Sequence, residues 1–279
     1  MYETFTLTDP SFQENSKKEL HMFLQLMQEH LYFISFDPAE NKFIKLVDYH
    51  FQAAVFNIDS NDLKSEIPEL TMDSSKKVLA INNENSSLVP SAFMKKDISE
   101  DILKLNFNIS EDKECQWEHI PAIDSYLVYG RGKEFLKIAS LFRPDKSIHC
   151  SSALLNSLLA KTYYSDSKDM FIDISESFFR IFLINNRKFE LFNSYPYKNS
   201  EDILYHLMNV TDHFEFNTNT DNYHFSGLIT KDSDFYELLQ KYIRYPFFLR
   251  KPENYQYSTV FEDQSMHTYY NLFSIASCA

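Results

Sequence analysis

His149, Cys150 and Ser151 are the first candidates for chemistry in this chain, because a thiol or hydroxyl beside an imidazole can act as a nucleophile. A reactive thiol needs a base or a positive field to stabilise the thiolate. Here His149 and Cys150 end a strand-like run at 147–150, and Ser151 follows it. Adjacent strand residues point to opposite faces, so His149 cannot easily activate Cys150. The pattern instead predicts a buried thiol followed by a helix capped by Ser151 or Ser152. Cys115, Glu118 and His119 carry metal-binding atoms, but three ligands without a fourth at suitable spacing do not complete a zinc site. His206 and His213 are seven apart on a predicted helix, where a solvated or packing role is expected. Gly130-Arg131-Gly132-Lys133 joins a strand to a helix, a context suited to anion binding at a helix N-terminus. It lacks the spacing of a phosphate loop, and Glu134 stands where Ser or Thr would follow the lysine. No catalytic residue is assigned, and no metal site is expected.

The bulk properties narrow the class. Cys115, Cys150 and Cys278 are an odd, widely spaced set that makes no disulfide framework, and free thiols suit a reducing compartment. A net charge of −13 opposes phosphate backbones and anionic membrane surfaces. No nucleic-acid partner is therefore expected. Met1-Tyr2-Glu3-Thr4 does not start a targeting signal, and no run of about 18 apolar residues could cross a bilayer. The expectation is a cytoplasmic protein with no integral membrane association. Of 279 residues, 26 are Phe and 18 are Tyr, which suits sheet-rich packing. Only three are Gly, where an average composition of about 7% would give roughly twenty.

These residues must be positioned by elements that the hydrophobic pattern outlines. After a polar opening of 18 residues, read as an extra edge strand or a loose arm, three strands are predicted at 20–27, 31–36 and 42–51. A weak helix at 62–70 is interrupted by Pro68, and a buried strand follows at 78–81. Residues 84–124 read as an inserted subdomain with a helical piece near 98–105. A strand at 126–129 and a helix at 133–143 precede the strand at 147–150 and its helix. A second series begins at Lys168, with strands at 170–174, 178–184 and 188–195 and a two-residue turn at Asn185-Asn186. Ser200 is expected to cap the next helix. A strand at 223–225, a helix capped by Asp232 or Ser233, and a helical piece at 266–276 complete the chain.

Both series run strand, strand, strand, helix, strand. Their third strands align as 42–51 with 188–197, identical at Lys42/Lys188, Phe43/Phe189 and Tyr49/Tyr195. The aromatic run Tyr245-Pro246-Phe247-Phe248 is expected in the core, and becomes an interaction patch if several of its rings are exposed together.

The plan is that of the duplicated α/β actin-like ATPase (ribonuclease H-like) fold, with two mixed sheets each flanked by helices. The division expected is a first half at 1–165, with its insertion at 84–124, and a second at 166–279. The chain also resembles a family of proteins of unknown function from Bacteroidota with this fold. The stretches that carry the resemblance are Ser87-Leu88-Val89-Pro90, His149-Cys150-Ser151-Ser152-Ala153-Leu154-Leu155, Phe192-Asn193-Ser194-Tyr195, and Ser226-Gly227 with Lys231-Asp232-Ser233. Tyr236-Glu237-Leu238-Leu239 and Tyr242-Ile243-Arg244 belong with them. More distantly the plan is similar to the actin-like cytoplasmic protein of type IV pilus assembly.

Active members of this superfamily hold ATP between the halves, on two hairpin turns with an Asp–x–Gly pattern and a further Gly-Gly turn. Glycine lets backbone amides approach phosphate oxygens. The resemblance places the first turn at Met27-Gln28-Glu29-His30, which lacks Gly and carries a carboxylate where phosphate would sit. The second falls on Asp173-Ile174-Ser175-Glu176-Ser177, and the adenosine turn on Ser226-Gly227. The expectation is a non-catalytic scaffold or protein-interaction protein, a pseudo-ATPase with no cofactor and another protein as partner. The alternative is an Mg-ATP-binding protein or weak ATPase using Asp173, Ser175, Ser226 and Gly227, with Asp173 metal-linked and Gly227 near adenine.

Overall fold

The protein is described from a computed structural model covering residues 2–10, 12, 19–95, 98–107, 113–262 and 265–279. Its leading strands are β1 (Tyr2–Thr8), β2 (His21–Leu26), β3 (His30–Asp37), β4 (Lys42–Phe51) and β5 (Lys76–Ile81). α1 (Ser60–Glu66) lies between β4 and β5, with Asp59 accepting the Asn61 amide as its cap. Pro68 starts a separate 3-10 turn there, so the expected helix is split. β6 (Ser86–Pro90), α2 (Ser99–Asn106), β7 (Glu114–Ile120) and β8 (Ser125–Arg131) follow, then α3 (Lys133–Phe142), β9 (Lys146–His149) and α4 (Cys150–Thr162). The second series is β10 (Lys168–Ile174), β11 (Phe178–Asn185), β12 (Lys188–Pro196), α5 (Ser200–His213), β13 (Asn222–Gly227), α6 (Asp234–Leu239) and β14 (Pro246–Phe248). The chain closes with β15 (Gln256–Tyr257) and α7 (Tyr270–Ser274), the latter flanked by 3-10 turns.

The first sheet has the order β1-β4-β3-β2-β5-β9, with β15 beside β4, and the second has β12-β11-β10-β13-β14. Apart from β1 and β15 the two orders correspond strand for strand. In each, three antiparallel hairpin strands are followed by two parallel ones. The polar opening contributes β1, paired antiparallel along β4, so it is an edge strand. The expectation of two sheets needs a correction, because β6, β8 and β7 form a third, antiparallel sheet. β8 pairs with both neighbours, so this unit extends past the predicted insertion at 84–124.

Period-two alternation sorts the side chains. In β2, Met22, Leu24 and Leu26 enter one core and Phe23 enters another, joined there by Met27 just beyond the strand, so both faces of β2 are buried. The first core also contains Leu154, Leu155 and Leu158 of α4 and Phe171, Phe182 and Ile184 of the second sheet, so α4 packs between the two series. Met170, Ile172 and Ile174 face α5 and α6 in a third core. Phe261, Leu272, Phe273 and Ile275, expected in the second half, pack on the first sheet with Phe23, Phe43 and Val78.

Two caps differ from expectation, and a third, Ser233 on α6, is one of the two residues expected there. His149, not Ser151 or Ser152, caps α4, its ring nitrogen accepting the Ser151 amide. Asn199 rather than Ser200 caps α5. The β11–β12 turn is also one residue later, because Asn186 and Arg187 carry the positive φ values of 49° and 67°.

Candidate functional site

The turns that close the two leading hairpins face one another. The first, between β2 and β3, holds Met27, Gln28 and Glu29, and the Met27 amide donates to the His30 carbonyl at 3.0 Å. The Val55 amide donates to the Gln28 carbonyl at 2.8 Å, which fixes the peptide plane carrying the Glu29 N–H. The second turn, between β10 and β11, is Ser175-Glu176-Ser177. Its Glu176 side chain crosses the gap. Oε2 accepts from the Gln28 amide and Oε1 from the Glu29 amide, each at 2.9 Å. The carboxylate on these amides is that of Glu176, from the opposite turn, and not that of Glu29, the one the sequence of the first turn suggests. Burial pushes the Glu176 carboxyl up, the two amides and His30 pull it down, and Glu29 adds repulsion; the net displacement is upward.

Arg180 of β11 lies beneath these turns and is wholly buried. Its Nη1 donates to Asp173 Oδ2 at 3.2 Å. Its Nη2 donates to Asn82 Oδ1 at 2.6 Å and to the Asn83 carbonyl at 2.9 Å. The Phe178 ring covers the guanidinium at 4.6 Å. Burial lowers the Arg180 pKa, and the Asp173 charge opposes that. Asp173 also accepts from Ser226 Oγ on Oδ1 at 2.9 Å and from Asn271 Nδ2 on Oδ2 at 2.7 Å. Asn82 Nδ2 closes the network on Ser175 Oγ at 2.9 Å. A charge taken out of water is tolerated only when paired and hydrogen-bonded, and this network supplies both.

Of the residues singled out in sequence, Asp173, Ser175 and Ser226 thus share one network. Gly227 is adjacent but has its own cause. It pairs with Ile174, has φ +82°, and a Cβ built on it would meet the Ile174 carbonyl oxygen at 2.0 Å. The close approach of β10 and β13 requires this glycine. The arrangement does not fit a magnesium-bound nucleotide. Both turn amides are taken by Glu176, and Asp173 spends its oxygens on three donors, one of them a cation. A cavity of about 240 Å³ opens beside the turns, lined by Gln28, Phe56, Asn82, Lys113, Glu176 and Phe178 among others.

The remaining candidates are dispersed. Cys150 is buried, and burial pushes its thiol far up, which makes it a poor nucleophile. Glu118 turns to the His149 amide at 2.6 Å, whereas the His119 ring lies tilted against Tyr126. His206 packs on Tyr195 and His213 on Phe214. Arg131 pairs with Glu114 and lies over Phe135. In the aromatic run, Tyr245 and Phe247 are 50% and 47% exposed, so part of it is a surface feature, while Phe248 stacks on His267.

Arg180, Asn82 and Asn271 were not anticipated. Arg180 had a legible signal, a lone charge inside the apolar strand Phe178–Asn185, where a charge must be partnered if the strand is buried. Asn82 and Asn271 lie 98 and 98 residues in sequence from the groups they bind, and only the fold joins them.

This architecture, two sheets of matching strand order around a cleft spanned by polar side chains, is that of the actin-like proteins. The chain is similar to a Bacteroides thetaiotaomicron VPI-5482 protein with actin-like ATPase fold and unknown function, at a TM-score of 0.74 and 17% identity, over 85% of this chain and 93% of that one. It is also similar to a chain of the PilM–PilN type IV pilus biogenesis complex, at a TM-score of 0.57 and 13% identity, over 94% and 97%. No curated protein matches it. Residues 9–245 match the family described as "Protein of unknown function (DUF3822)", and the chain belongs to that family.

Proposed function

We propose that this chain is a non-catalytic actin-fold protein, an internally duplicated pseudo-ATPase that works in the cytoplasm as a scaffold for another protein. One observation carries the reading. The Glu176 carboxylate occupies the amides of Gln28 and Glu29, the kind of paired backbone donors with which a turn holds a phosphate oxygen. A nucleotide would have to displace a tethered anion and then meet Glu29 beside it. The Asp173–Arg180 pair supports the same reading, because its carboxylate is already neutralised from within. A partner surface is available in Tyr242, Tyr245 and Phe247, all about half exposed. That a similar chain occurs in a pilus biogenesis complex supports protein binding as the role.

The competing reading is Mg-ATP binding through Asp173, Ser175, Ser226 and Gly227. Melting curves with and without millimolar Mg-ATP separate the two, since a ligand selective for the native state must raise Tm. No shift is expected. A rise of several degrees in the wild-type protein overturns the scaffold reading, and its loss in Asp173→Ala would place the nucleotide in this cleft.

A further inference from the structure

We propose that the amide pair of Gln28 and Glu29, with the cavity beside it, is a binding site for an external carboxylate carried by a peptide segment of a partner protein, and that Glu176 is its resident occupant. The proposal rests on the scaffold reading and names the chemistry the partner must bring.

Three observations carry it. First, the cradle matches a carboxylate atom for atom. Two successive amides each meet one oxygen of a planar pair at 2.9 Å. Capture of carboxylates on consecutive backbone N–H groups is an established recognition mode. Second, the cradle is organised independently of its occupant. The Val55 and Phe51 amides hold the Gln28 and Glu29 carbonyls at 2.8 and 2.8 Å, and Met27 bonds to His30. All of these bonds lie within the first series of elements, whereas Glu176 arrives from the second. Removing Glu176 leaves two aligned donors rather than a collapsed loop. Third, the occupant is poorly solvated. Burial and Glu29 push its carboxyl up, so ionised Glu176 is held less firmly than its bonds alone would make it. The neighbouring cavity of about 240 Å³ gives an incoming segment room, with Phe56 and Phe178 for apolar contact; Lys113 attracts its charge and Glu84 opposes it, so the amide pair and not the cavity wall must supply the recognition.

The tether explains why a small anion alone does not displace Glu176. A side chain that the fold already holds in the bonded geometry competes at an effective concentration far above that of a dissolved anion. Only a segment making further contacts in the cavity competes with it in the intact protein.

The test therefore removes the competitor. Glu176→Ala is melted at constant ionic strength in sodium acetate, in sodium phosphate and in sodium chloride. Acetate is expected to raise its Tm by roughly 3 °C at about ten times its Kd, to act more strongly than phosphate, and to leave the wild type unmoved. Two peptides then distinguish the source of the carboxylate. Acetyl-Gly-Glu-Gly-amide carries it on a side chain, and acetyl-Gly-Gly with a free terminus carries it at the chain end. Whichever binds the variant more tightly names the class of segment. If Glu176→Ala does not fold, Glu176→Gln, which sets an NH2 against one amide, takes its place. A variant indifferent to acetate and to both peptides overturns the proposal, as does one that prefers phosphate. These results are independent of Mg-ATP binding by the wild type, so a failure here is distinct from a failure of the scaffold reading.

Discussion

Arg180 and His149 show how much a single side chain can decide when it is buried. Removing one member of a buried ion pair strands the other, at a cost of about 3–5 kcal/mol. Arg180→Met leaves Asp173 without its cation, with only Ser226 and Asn271 as donors. That loss is expected in urea unfolding, and adding Asp173→Asn should recover part of it, because the two groups interact directly and their effects are not additive. A double variant as unstable as the sum of the singles would show that the pair is not coupled. His149 is different, since it must stay neutral. Its Nδ1 accepts the Ser151 amide at 3.1 Å, while Nε2 faces the Asn83 carbonyl at 3.2 Å and so carries the proton. Burial, then Arg180, hold its pKa well below the ordinary value of 6.5, against the pull of Asn83. The unfolded chain therefore takes up a proton on this residue near pH 6.5 and the native state does not. Stability present above that pH falls as the pH drops below it, towards the depressed native value. Glu118 and Glu176 have the opposite sign, because burial raises their native carboxyls and stability is gained as the pH falls through them. Urea titrations between pH 7.5 and 5.5 should show decreasing stability, and His149→Gln should flatten that limb. An unchanged slope in the variant would assign the loss to other groups.

At the scale of the element, the clearest constraint is the approach of β10 to β13. Gly227→Ala forces a Cβ against the Ile174 carbonyl and keeps φ positive, so a loss of more than about 2 kcal/mol is expected in thermal or urea unfolding. Asn199→Ala should cost only about 1 kcal/mol, the usual value of a helix cap. A Gly227→Ala variant no worse than Asn199→Ala would mean that the strands can part without penalty. These elements also show what can be read before folding. The hairpin strands β2, β3, β10 and β11 were legible because both faces are buried and the pattern is nearly a plain apolar run. The repeat, in which Tyr49 and Tyr195 hold corresponding places, supplied the shared succession of elements, whereas the order of strands within each sheet emerged only in the fold. The caps were misplaced by a residue or two because an imidazole nitrogen or an asparagine oxygen serves as well as a hydroxyl. The third sheet was hidden because β7 alternates polar and apolar residues, with only Ile120 buried. Within the candidate site, Asp173 and the turns were placed by the resemblance. The bond between Glu176 and the opposite turn was not, because it joins residues 148 and 147 apart.

For the whole molecule, the C-terminal segment is the stitch between the two series. Asn271 reaches Asp173 at 2.7 Å and His267 Nε2 donates to the Ile229 carbonyl at 2.6 Å, both in the second series. Tyr269 donates to Asp48 at 2.9 Å, and Phe273 packs on Phe43 with ring centres 5.0 Å apart, both in the first. α4 adds an apolar connection, because its leucines share one core with strands of both sheets. Two bodies joined by a cleft often unfold separately, but here the joint is itself core. A single cooperative transition is therefore expected, with equal calorimetric and van't Hoff enthalpies. Phe273→Ala provides the critical perturbation. Truncating this fully buried ring should cost about 3–5 kcal/mol, and hydrogen exchange should then show β2 to β5 and β10 to β13 losing protection together. If only the first sheet becomes exchangeable, the segment belongs to that sheet alone and the halves are separable. If protection is lost in step, the cleft is a fixed seam, and access to the Gln28–Glu29 cradle depends on exchange of the Glu176 side chain rather than on opening of the halves.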